Sequence, residues 1–456
     1  MRMQAGKLSI AVALVAGSLA LNFSAGNNSR IWAQDTGSAP QAASPAVQTN
    51  PARIGGGGRG GAVDPKLYAP MPLESPSTVK NFPPAPTNAQ PGSRGGPASY
   101  PRVIQIKHYA PLKGQLMATF DQGGRFPIYL SKDNGDSWEF LTSLAELRQQ
   151  PALFELPRRM GDLPAGTILA AGMATTNDAG KSAVSAYYST DGAKTWQFLS
   201  KIIEGTPSGY DPGQRSFVTK NTPVWEPYLY TDSRGRLVAY YSDERYKKDG
   251  YNQLLAHRVS NDGGRTWGRE VFDVAIADGL VRAGMSVVTQ NTNTGKYFMT
   301  YELVGLPGYP IEPRSNPVHF RTSNDGNNFG DPKDRGVLIQ DRWRQFLWAT
   351  PYIVWSPWPA PNGTLIATAR ASMRFLDGQV GNGMMINRNN GEGLWTLIET
   401  PIRYTPPDGY SQTMIPLGDG REILQMLGAD GQMKYAKFKL PEKLPEYEFP
   451  FGPKKP

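Results

Sequence analysis

The sequence has no cysteine and only three histidines among its 456 residues. Without thiolates it can form neither a disulfide nor a cysteine-bound metal site. The histidines, His108, His257 and His319, are far apart and lack the spacing of a ligand set, so each is interpreted as a structural residue. We therefore predict no metal site and no cofactor.

Apolar runs long enough to cross a membrane are also missing. Residues 8–21 are apolar, but they are too few and too rich in small side chains for a secure span. Because Arg2 and Lys7 precede them, the pattern is typical of a signal peptide. We predict a signal peptide over residues 1–33, cleaved after Ala25 or Ala33, and a secreted or periplasmic protein; the alternative is an uncleaved N-terminal anchor.

Dense runs of basic residues are absent as well. The formal charge of +9 falls to +6 once residues 1–33 are removed, because they carry three basic residues and no acid. This mild excess allows attraction to acidic polysaccharides and does not indicate a nucleic-acid partner.

Large apolar residues are scarce in residues 34–98, which are rich in Gly, Pro, Ala, Ser and Gln. Such a segment can bury little surface, so we predict disorder there. Order is expected from about Tyr100, and a Pro-rich tail over residues 441–456.

What the sequence does contain is one short pattern in four copies. They begin at Ser131, Ser189, Ser260 and Ser323 and read SKDNGDSW, STDGAKTW, SNDGGRTW and SNDGNNF. Asn or Asp with Gly favours left-handed turn positions, and the Ser and Asp side chains can bond the local backbone. A fifth, degenerate copy runs from Asn387 to Trp395. The pattern resembles the Asp-box of sialidase-like β-propellers.

The spacing of the copies predicts a repeat fold. Their starts lie 58, 71 and 63 residues apart, which suits a four-stranded blade with long loops. We predict an all-β, six-bladed β-propeller over residues 99–440.

Two glutamates interrupt strongly apolar strands. Glu226 lies in VWEPYLY and Glu302 ends YFMTYE. A carboxylate in such surroundings is expensive unless it is paired or functional. Glycoside hydrolysis uses two carboxylates, one as acid and one as nucleophile or base, and the alternative for each glutamate is a structural bond at a strand end.

A series of segments from Tyr100 to about residue 417 is similar to glycoside hydrolase family 93, the exo-α-1,5-L-arabinanases. It includes LFELPRRMGDLPAGTILAAG, WEPYLY, YYSDER, RAGM, MTYE and SPWPAPNGTLIATA. The resemblance implies a retaining exo-glycosidase acting on α-1,5-linked L-arabinan or a related plant or environmental glycan. It implies Glu226 as nucleophile and Glu302 as general acid/base, with the pair better supported than the order of roles.

Further substrate-binding candidates surround that pair, each with packing or a structural salt bridge as the alternative. The polar candidates are Arg102, Asp243, Arg245 and Arg282. The aromatic candidates are Trp225, Tyr241, Tyr301, Tyr352 and Tyr410.

Two other functions stay open at the level of sequence. An exo-α-sialidase would need three arginines, for which Arg102, Arg282 and either Arg344 or Arg370 are available, and a late tyrosine such as Tyr410. A non-catalytic carbohydrate-binding propeller would keep the aromatics without a competent pair. In each case the expected partner is an oligosaccharide or polysaccharide and the expected state is a monomer.

Overall fold

The computed structural model describes residues 68–85, 98–175, 182–205, 210–211, 216–217, 222–310, 315–405 and 408–445. The residues predicted to form the signal peptide and most of the tail lie outside these ranges. Within them, no helical segment has the length and hydrophobicity of a transmembrane span. Short 3-10 helices occur at Ala110–Leu112 and Lys247–Asp249.

Most of the described chain forms antiparallel four-stranded sheets, numbered here from the N-terminus. A first short strand, β1, covers Lys80–Asn81. Sheet 1 consists of β2 (Ser99–Gln105), β3 (Leu116–Asp121), β4 (Phe126–Ser131) and β5 (Glu139–Leu144). Sheet 2 consists of β6 (Gln149–Glu155), β7 (Ile168–Thr175), β8 (Ser182–Ser189) and β9 (Gln197–Glu204).

The middle of the chain repeats this arrangement after a small hairpin of β10 (Tyr210–Asp211) and β11 (Ser216–Phe217). Sheet 3 consists of β12 (Val224–Thr231), β13 (Leu237–Asp243), β14 (Leu254–Ser260) and β15 (Val271–Val274). Sheet 4 consists of β16 (Arg282–Gln290), β17 (Tyr297–Val304), β18 (Val318–Ser323) and β19 (Val337–Leu338).

The last third adds two four-stranded sheets and one smaller sheet. The smaller sheet consists of β20 (Gln345–Trp348), β23 (Ala371–Arg374) and β24 (Val380–Gly381). Sheet 5 consists of β21 (Tyr352–Ser356), β22 (Thr364–Thr368), β25 (Met384–Asn387) and β26 (Thr396–Ile398). Sheet 6 consists of β27 (Thr413–Leu417), β28 (Glu422–Ala429), β29 (Gln432–Lys439) and the early strand β1.

The first strands of these sheets form a closed ring. Each of β2, β6, β12, β16, β21 and β27 contacts the next in chain order, and β27 contacts β2. The hydrophobic core lies between neighbouring sheets: one cluster joins Leu169 of sheet 2 to Ala239 of sheet 3, and another joins Tyr240 of sheet 3 to Tyr297 of sheet 4. The predicted all-β fold is confirmed, and a ring of sheets packed face to face is the arrangement of a β-propeller.

The four repeated segments fold into the same turn. In the first, the Ser131 hydroxyl accepts the N–H of Gly135, and the Asp133 carboxylate accepts the N–H of Ser137. The Ser189, Ser260 and Ser323 hydroxyls likewise accept backbone N–H groups three or four residues on. Left-handed backbone occurs inside each turn, as the Asn and Gly residues led us to predict.

The prediction of disorder across residues 34–98 is wrong for residues 68–85. Lys80 and Asn81 pair with β29, so the N-terminal segment completes the last sheet of the ring. Phe82 is buried and its ring lies 5.0 Å from that of Trp138 in sheet 1. Phe82, the partly buried Met71 and Leu73, and a two-residue strand supply the order that the low apolar content of the segment did not indicate.

Candidate active site

Glu226 is held by donors from three other strands. It lies in β12, and one carboxylate oxygen accepts the Ser242 hydroxyl at 2.7 Å and the Met285 N–H at 3.0 Å. The other oxygen accepts the Tyr100 hydroxyl at 3.3 Å. Burial raises the pKa of Glu226, whereas these donors and the positive charge of Arg282 lower it. Burial prevails, so the pKa of Glu226 lies above its usual value although these partners favour the ionised form.

Glu302 occupies a drier position in β17, the second strand of sheet 4. Its side chain is buried, and Oε2 accepts the Thr350 N–H at 2.6 Å. Burial and, next, the charge of Glu226 raise the pKa of Glu302 to about 7. A carboxyl group with this pKa can hold a proton near neutral pH, as a general acid requires.

Gly284 leaves open the space between the two carboxylates. It is the partner of Glu302 in the register of β16 and β17. A Cβ at Gly284 would lie 3.5 Å from Glu302 Oε1 and 3.6 Å from Glu226 Oε2, so these two oxygens are no more than about 7 Å apart. The same Cβ would lie 2.7 Å from Gln253 Nε2, so any side chain here would crowd the site.

The backbone of Glu226 belongs to a ring of left-handed residues, one at the start of each inner strand. We call this set the bulge ring. Its members, with their φ angles, are Tyr100 (53°), Gln150 (60°), Glu226 (58°), Met285 (59°), Thr350 (47°) and Ser411 (51°). In sheets 1 to 4 these residues lie at register shifts between the first and second strands. In sheets 5 and 6 they come two residues before β21 and β27.

Side chains connect neighbouring members of the bulge ring. Gln150 Oε1 accepts the Glu226 N–H at 2.8 Å, and Glu226 Oε2 accepts the Met285 N–H. Farther round, Thr350 Oγ1 accepts the Ser411 N–H at 3.1 Å. The N–H of Thr350 itself is bound by Glu302. Both glutamates are thus built into the links between sheets.

Arg102 contacts members of the bulge ring, and its described hydrogen bonds are not made to a carboxylate. It is buried, and it donates to the carbonyl of Pro101 at 2.7 Å and to the Ser411 hydroxyl at 3.1 Å. Its guanidinium lies 5.5 Å from the ring centre of Tyr352 and 5.7 Å from that of Tyr100. The structure thus places Arg102 of sheet 1 beside Tyr352 of sheet 5 and in contact with Ser411, which precedes the first strand of sheet 6.

Arg282 and Trp225 meet on the other side of Glu226. Arg282 Nη2 donates to Glu244 Oε1 and to Gln253 Oε1, both at 2.6 Å. Trp225 Nε1 donates to the same Glu244 oxygen at 3.0 Å. The positive charge of Arg282 lowers the pKa of Glu226 and, to a smaller degree than burial raises it, that of Glu302. Trp225 and Arg282 are both partly exposed.

Tyr410 also belongs to the site. Its ring lies 5.2 Å from that of Tyr100, and the guanidinium of Arg370 lies 5.0 Å from its centre. Burial, then the charges of Glu302 and Glu226, raise the pKa of Tyr410. The hydroxyl therefore stays protonated near both carboxylates.

Four of the predicted substrate-binding residues are not brought to the carboxylate pair. Tyr241 and Arg245 both donate to Glu270, and Arg245 also donates to Asp243 at 3.0 Å. The Tyr301 hydroxyl donates to the Arg335 carbonyl at 2.8 Å. Successive residues of a strand face opposite sides of the sheet. Because Ser242 faces Glu226, its neighbours Tyr241 and Asp243 face the other side. In the same way, Tyr301 faces away from the side that Glu302 occupies. The hydrogen bonds of these four side chains are made to residues outside the carboxylate pair.

Sequence reasoning missed five residues that touch or position the pair. They are Tyr100, Gln150, Ser242, Met285 and Thr350. A signal for three of them is present: Tyr100, Gln150 and Thr350, like Glu226, each come directly before a proline. Proline within a sheet is confined to edges, strand starts and bulges, so these dipeptides mark the same place in four sheets.

Two carboxyl groups, Glu302 buried and Glu226 partly exposed, lie on either side of the space left by Gly284 and form a site of the glycosidase type. The chain is similar to the Penicillium chrysogenum α-L-arabinanase solved with arabinobiose, with 30% identity and a TM-score of 0.65 over 80% of this chain and 98% of that one. It is also similar to the GH93 α-L-arabinofuranosidase of Fusarium graminearum with arabinobiose, with 26% identity and a TM-score of 0.66 over the same shares. A mutant of the Fusarium enzyme with an iminosugar inhibitor gives 26% identity and a TM-score of 0.63 over 75% and 93%.

No protein-family model and no curated protein matches the chain. At 30% identity over nearly the whole Penicillium enzyme, however, the chain belongs to the same family of glycoside hydrolases.

Proposed function

We propose that the protein is an exo-acting, retaining glycoside hydrolase of α-1,5-linked L-arabinan, with Glu226 as nucleophile and Glu302 as general acid/base. One observation carries the assignment of roles. Glu302 has a pKa raised to about 7 beside Glu226, whose carboxylate is bound by a hydroxyl on each oxygen and by a backbone N–H. Burial raises the pKa of Glu226 as well, but its hydrogen-bond donors and Arg282 favour the ionised form, so we assign the nucleophile to Glu226 and the acid to Glu302. The substrate follows from relatives that bind arabinobiose.

In the first step the Glu226 carboxylate attacks the anomeric carbon of the terminal sugar. The bond from that carbon to the leaving oxygen breaks, and the Glu302 carboxyl gives its proton to this oxygen. The products are a sugar covalently bound to Glu226 and a free, shortened chain. Loss of the proton leaves Glu302 ionised.

In the second step Glu302 works as a base. It takes a proton from water while the water oxygen attacks the anomeric carbon and the bond to Glu226 breaks. The released sugar keeps its original anomeric configuration, and both carboxyl groups return to their starting states. Glu302 suits both directions because its pKa is close to neutral pH.

The distance between the two carboxylates is compatible with retention. Retaining enzymes place them about 5–5.5 Å apart and inverting enzymes about 6.5–9.5 Å apart. Glu302 Oε1 and Glu226 Oε2 are no more than about 7 Å apart, a limit that accommodates the separation of a retaining pair.

Trp225, Arg282 and Tyr410 are the proposed sugar contacts. Each is partly exposed and lies beside the carboxylate pair. Arg102 and Tyr352 are buried and are proposed to support the site through the contacts of Arg102 with Ser411 and Tyr100. We also propose that the ring of sheets is a six-bladed propeller, that residues 1–33 direct the protein to the periplasm or the exterior, and that it works as a monomer.

The test is incubation of the purified protein with linear α-1,5-arabinan, with products separated by chromatography. We expect one short product from the earliest times, as an exo enzyme gives, and an anomeric configuration by NMR that matches the substrate. Glu226→Gln and Glu302→Gln should each abolish release. Glu270→Gln, in a separate ion-pair cluster, is the matched control and should keep the activity of each folded molecule. Absence of release by the wild type, or wild-type rates in both site variants, would refute the proposal.

A further inference from the structure

Gln150 supports Glu226 from the neighbouring sheet. It is the member of the bulge ring in sheet 2, and its Oε1 accepts the Glu226 N–H at 2.8 Å. That N–H lies where the pairing of β12 with β13 is interrupted between Trp225 and Tyr228. Because a buried backbone N–H needs a partner, the Gln150 side chain takes over a bond that the sheet does not make.

The conformation of Glu226 depends on being held at both ends. Its backbone has a φ of 58°, which a residue with a side chain adopts only when its surroundings impose it. Gln150 binds the backbone from sheet 2, while Met285 of sheet 4 and Ser242 bind the carboxylate. Without the Gln150 acceptor, the backbone of Glu226 is free to rotate toward an ordinary strand conformation. The side chain would then turn away from Ser242 and Met285.

We propose that Gln150 is a positioning residue, which fixes the backbone of Glu226 so that its carboxylate faces the reacting carbon. This inference rests on the proposed function, in which Glu226 is the nucleophile. The position needs an acceptor of glutamine length: leucine has none, asparagine is one methylene shorter, and glutamate adds a second charge beside Glu226.

Kinetics of Gln150 variants on arabinan test the role. A displacement of about 1 Å costs on the order of 100-fold in rate, so Gln150→Leu and Gln150→Asn should lower kcat by about 10- to 100-fold. Binding of arabinobiose, measured by calorimetry, should change little. Gln150→Glu restores the acceptor and should recover part of the rate. The acidic limb of the pH–rate profile of this variant should move to higher pH, because a neighbouring carboxylate raises the pKa of Glu226.

Gln425→Leu is the matched control. Gln425 is buried in β28, where it accepts the Thr400 hydroxyl at 2.8 Å and donates to Gln412. Its loss should lower the melting temperature without changing kcat or the pH profile of the folded enzyme. A Gln150→Leu variant that behaves like this control would show a merely structural residue and overturn the proposal.

Crystal structures of the wild type and the Gln150 variants separate this inference from the proposed function. We expect Glu226 to leave the left-handed region in Gln150→Leu and to keep it in Gln150→Glu. An unmoved Glu226 in Gln150→Leu would overturn the positioning role whatever the substrate. An inactive wild type with a displaced Glu226 in the variant would refute the arabinanase assignment and still support the role of Gln150. If Gln150→Leu does not fold, Gln150→Asn is tested in its place by its kcat on arabinan and by the backbone conformation of Glu226 in its crystal structure.

Discussion

Replacing Glu302 by glutamine should stabilise the folded protein while it abolishes turnover. Glu302 has a pKa of about 7 in the folded protein against a usual value of 4.5, because it is buried beside Glu226. Between these values the unfolded chain has lost the proton that the folded chain still holds. Rising pH therefore favours unfolding between about pH 4.5 and pH 7. The stability that the proton on Glu302 contributes is fully present below about pH 4.5 and is lost as the pH passes about 7.

The size of the effect follows from the same two values. A difference of about 2.5 in pKa corresponds to about 3 kcal/mol in the free energy of unfolding. Glutamine does not titrate, and it keeps an oxygen that can accept the Thr350 N–H. The stability advantage of Glu302→Gln over the wild type should thus grow by about 3 kcal/mol between pH 4.5 and pH 8.

Urea unfolding followed by tryptophan fluorescence measures this advantage at each pH. Glu139→Gln, at an exposed glutamate, is the control and should follow the pH dependence of the wild type. A Glu302→Gln advantage that does not vary between pH 4.5 and pH 8 would show that the carboxyl group titrates normally. The argument for Glu302 as the general acid would fail with it.

Three further predictions concern the rate and the packing between sheets. The rate of arabinan hydrolysis should fall as the pH rises through about 7, because Glu302 then loses the proton it must donate; a pH–rate profile that is flat to pH 9 would contradict this. Trp138→Ala should lower the free energy of unfolding by about 3–5 kcal/mol, since the buried ring packs on Phe82 and Tyr435; an unchanged melting temperature would place the ring at the periphery. Tyr241→Phe removes a hydrogen bond to Glu270 and should cost about 1 kcal/mol of stability with KM unchanged; a raised KM would restore Tyr241 to the substrate site.

The turns and the carboxylate pair could be predicted from the sequence because each is a local signal. A Ser and an Asp at fixed offsets from a Gly determine their own hydrogen bonds, as the turn at Ser131 shows. Glu226 and Glu302 stand out because a carboxylate within apolar strand residues requires partners. These inferences needed no knowledge of how distant segments meet.

The orientation of neighbouring side chains could not be predicted in the same way. A bulge adds a residue to one strand and changes which face the following side chains occupy. The shift between Trp225 and Tyr228 sets Trp225 opposite Ser242, so the short Ser242 and not the larger Tyr241 reaches Glu226. Choosing the contacts of Glu226 by residue type favoured Tyr241, whereas the structure places Ser242 there.

The pairing of β1 with the last sheet could not be predicted from the sequence for a different reason. β1 pairs with β29, which follows it by about 350 residues, and the described segment before it reaches the core only through a few separate side chains such as Met71, Leu73 and Phe82. Two residues of strand leave no periodic pattern in the sequence.

Prolines that follow four members of the bulge ring help to explain how Glu226 comes to lie at its position. Tyr100, Gln150, Glu226 and Thr350 each precede a proline. Proline has no N–H to donate, so a strand in which it follows the left-handed residue cannot continue its ladder there, and a bulge is the form that accommodates it. Each left-handed residue costs about 1–3 kcal/mol unless its surroundings hold it. The side-chain-to-backbone links round the ring supply that support, and at Glu226 the supporting contacts are also those that fix the carboxylate. The bulge is thus repeated for structural reasons, and placing a glutamate at one member is enough to give the ring a fixed carboxylate at its mouth.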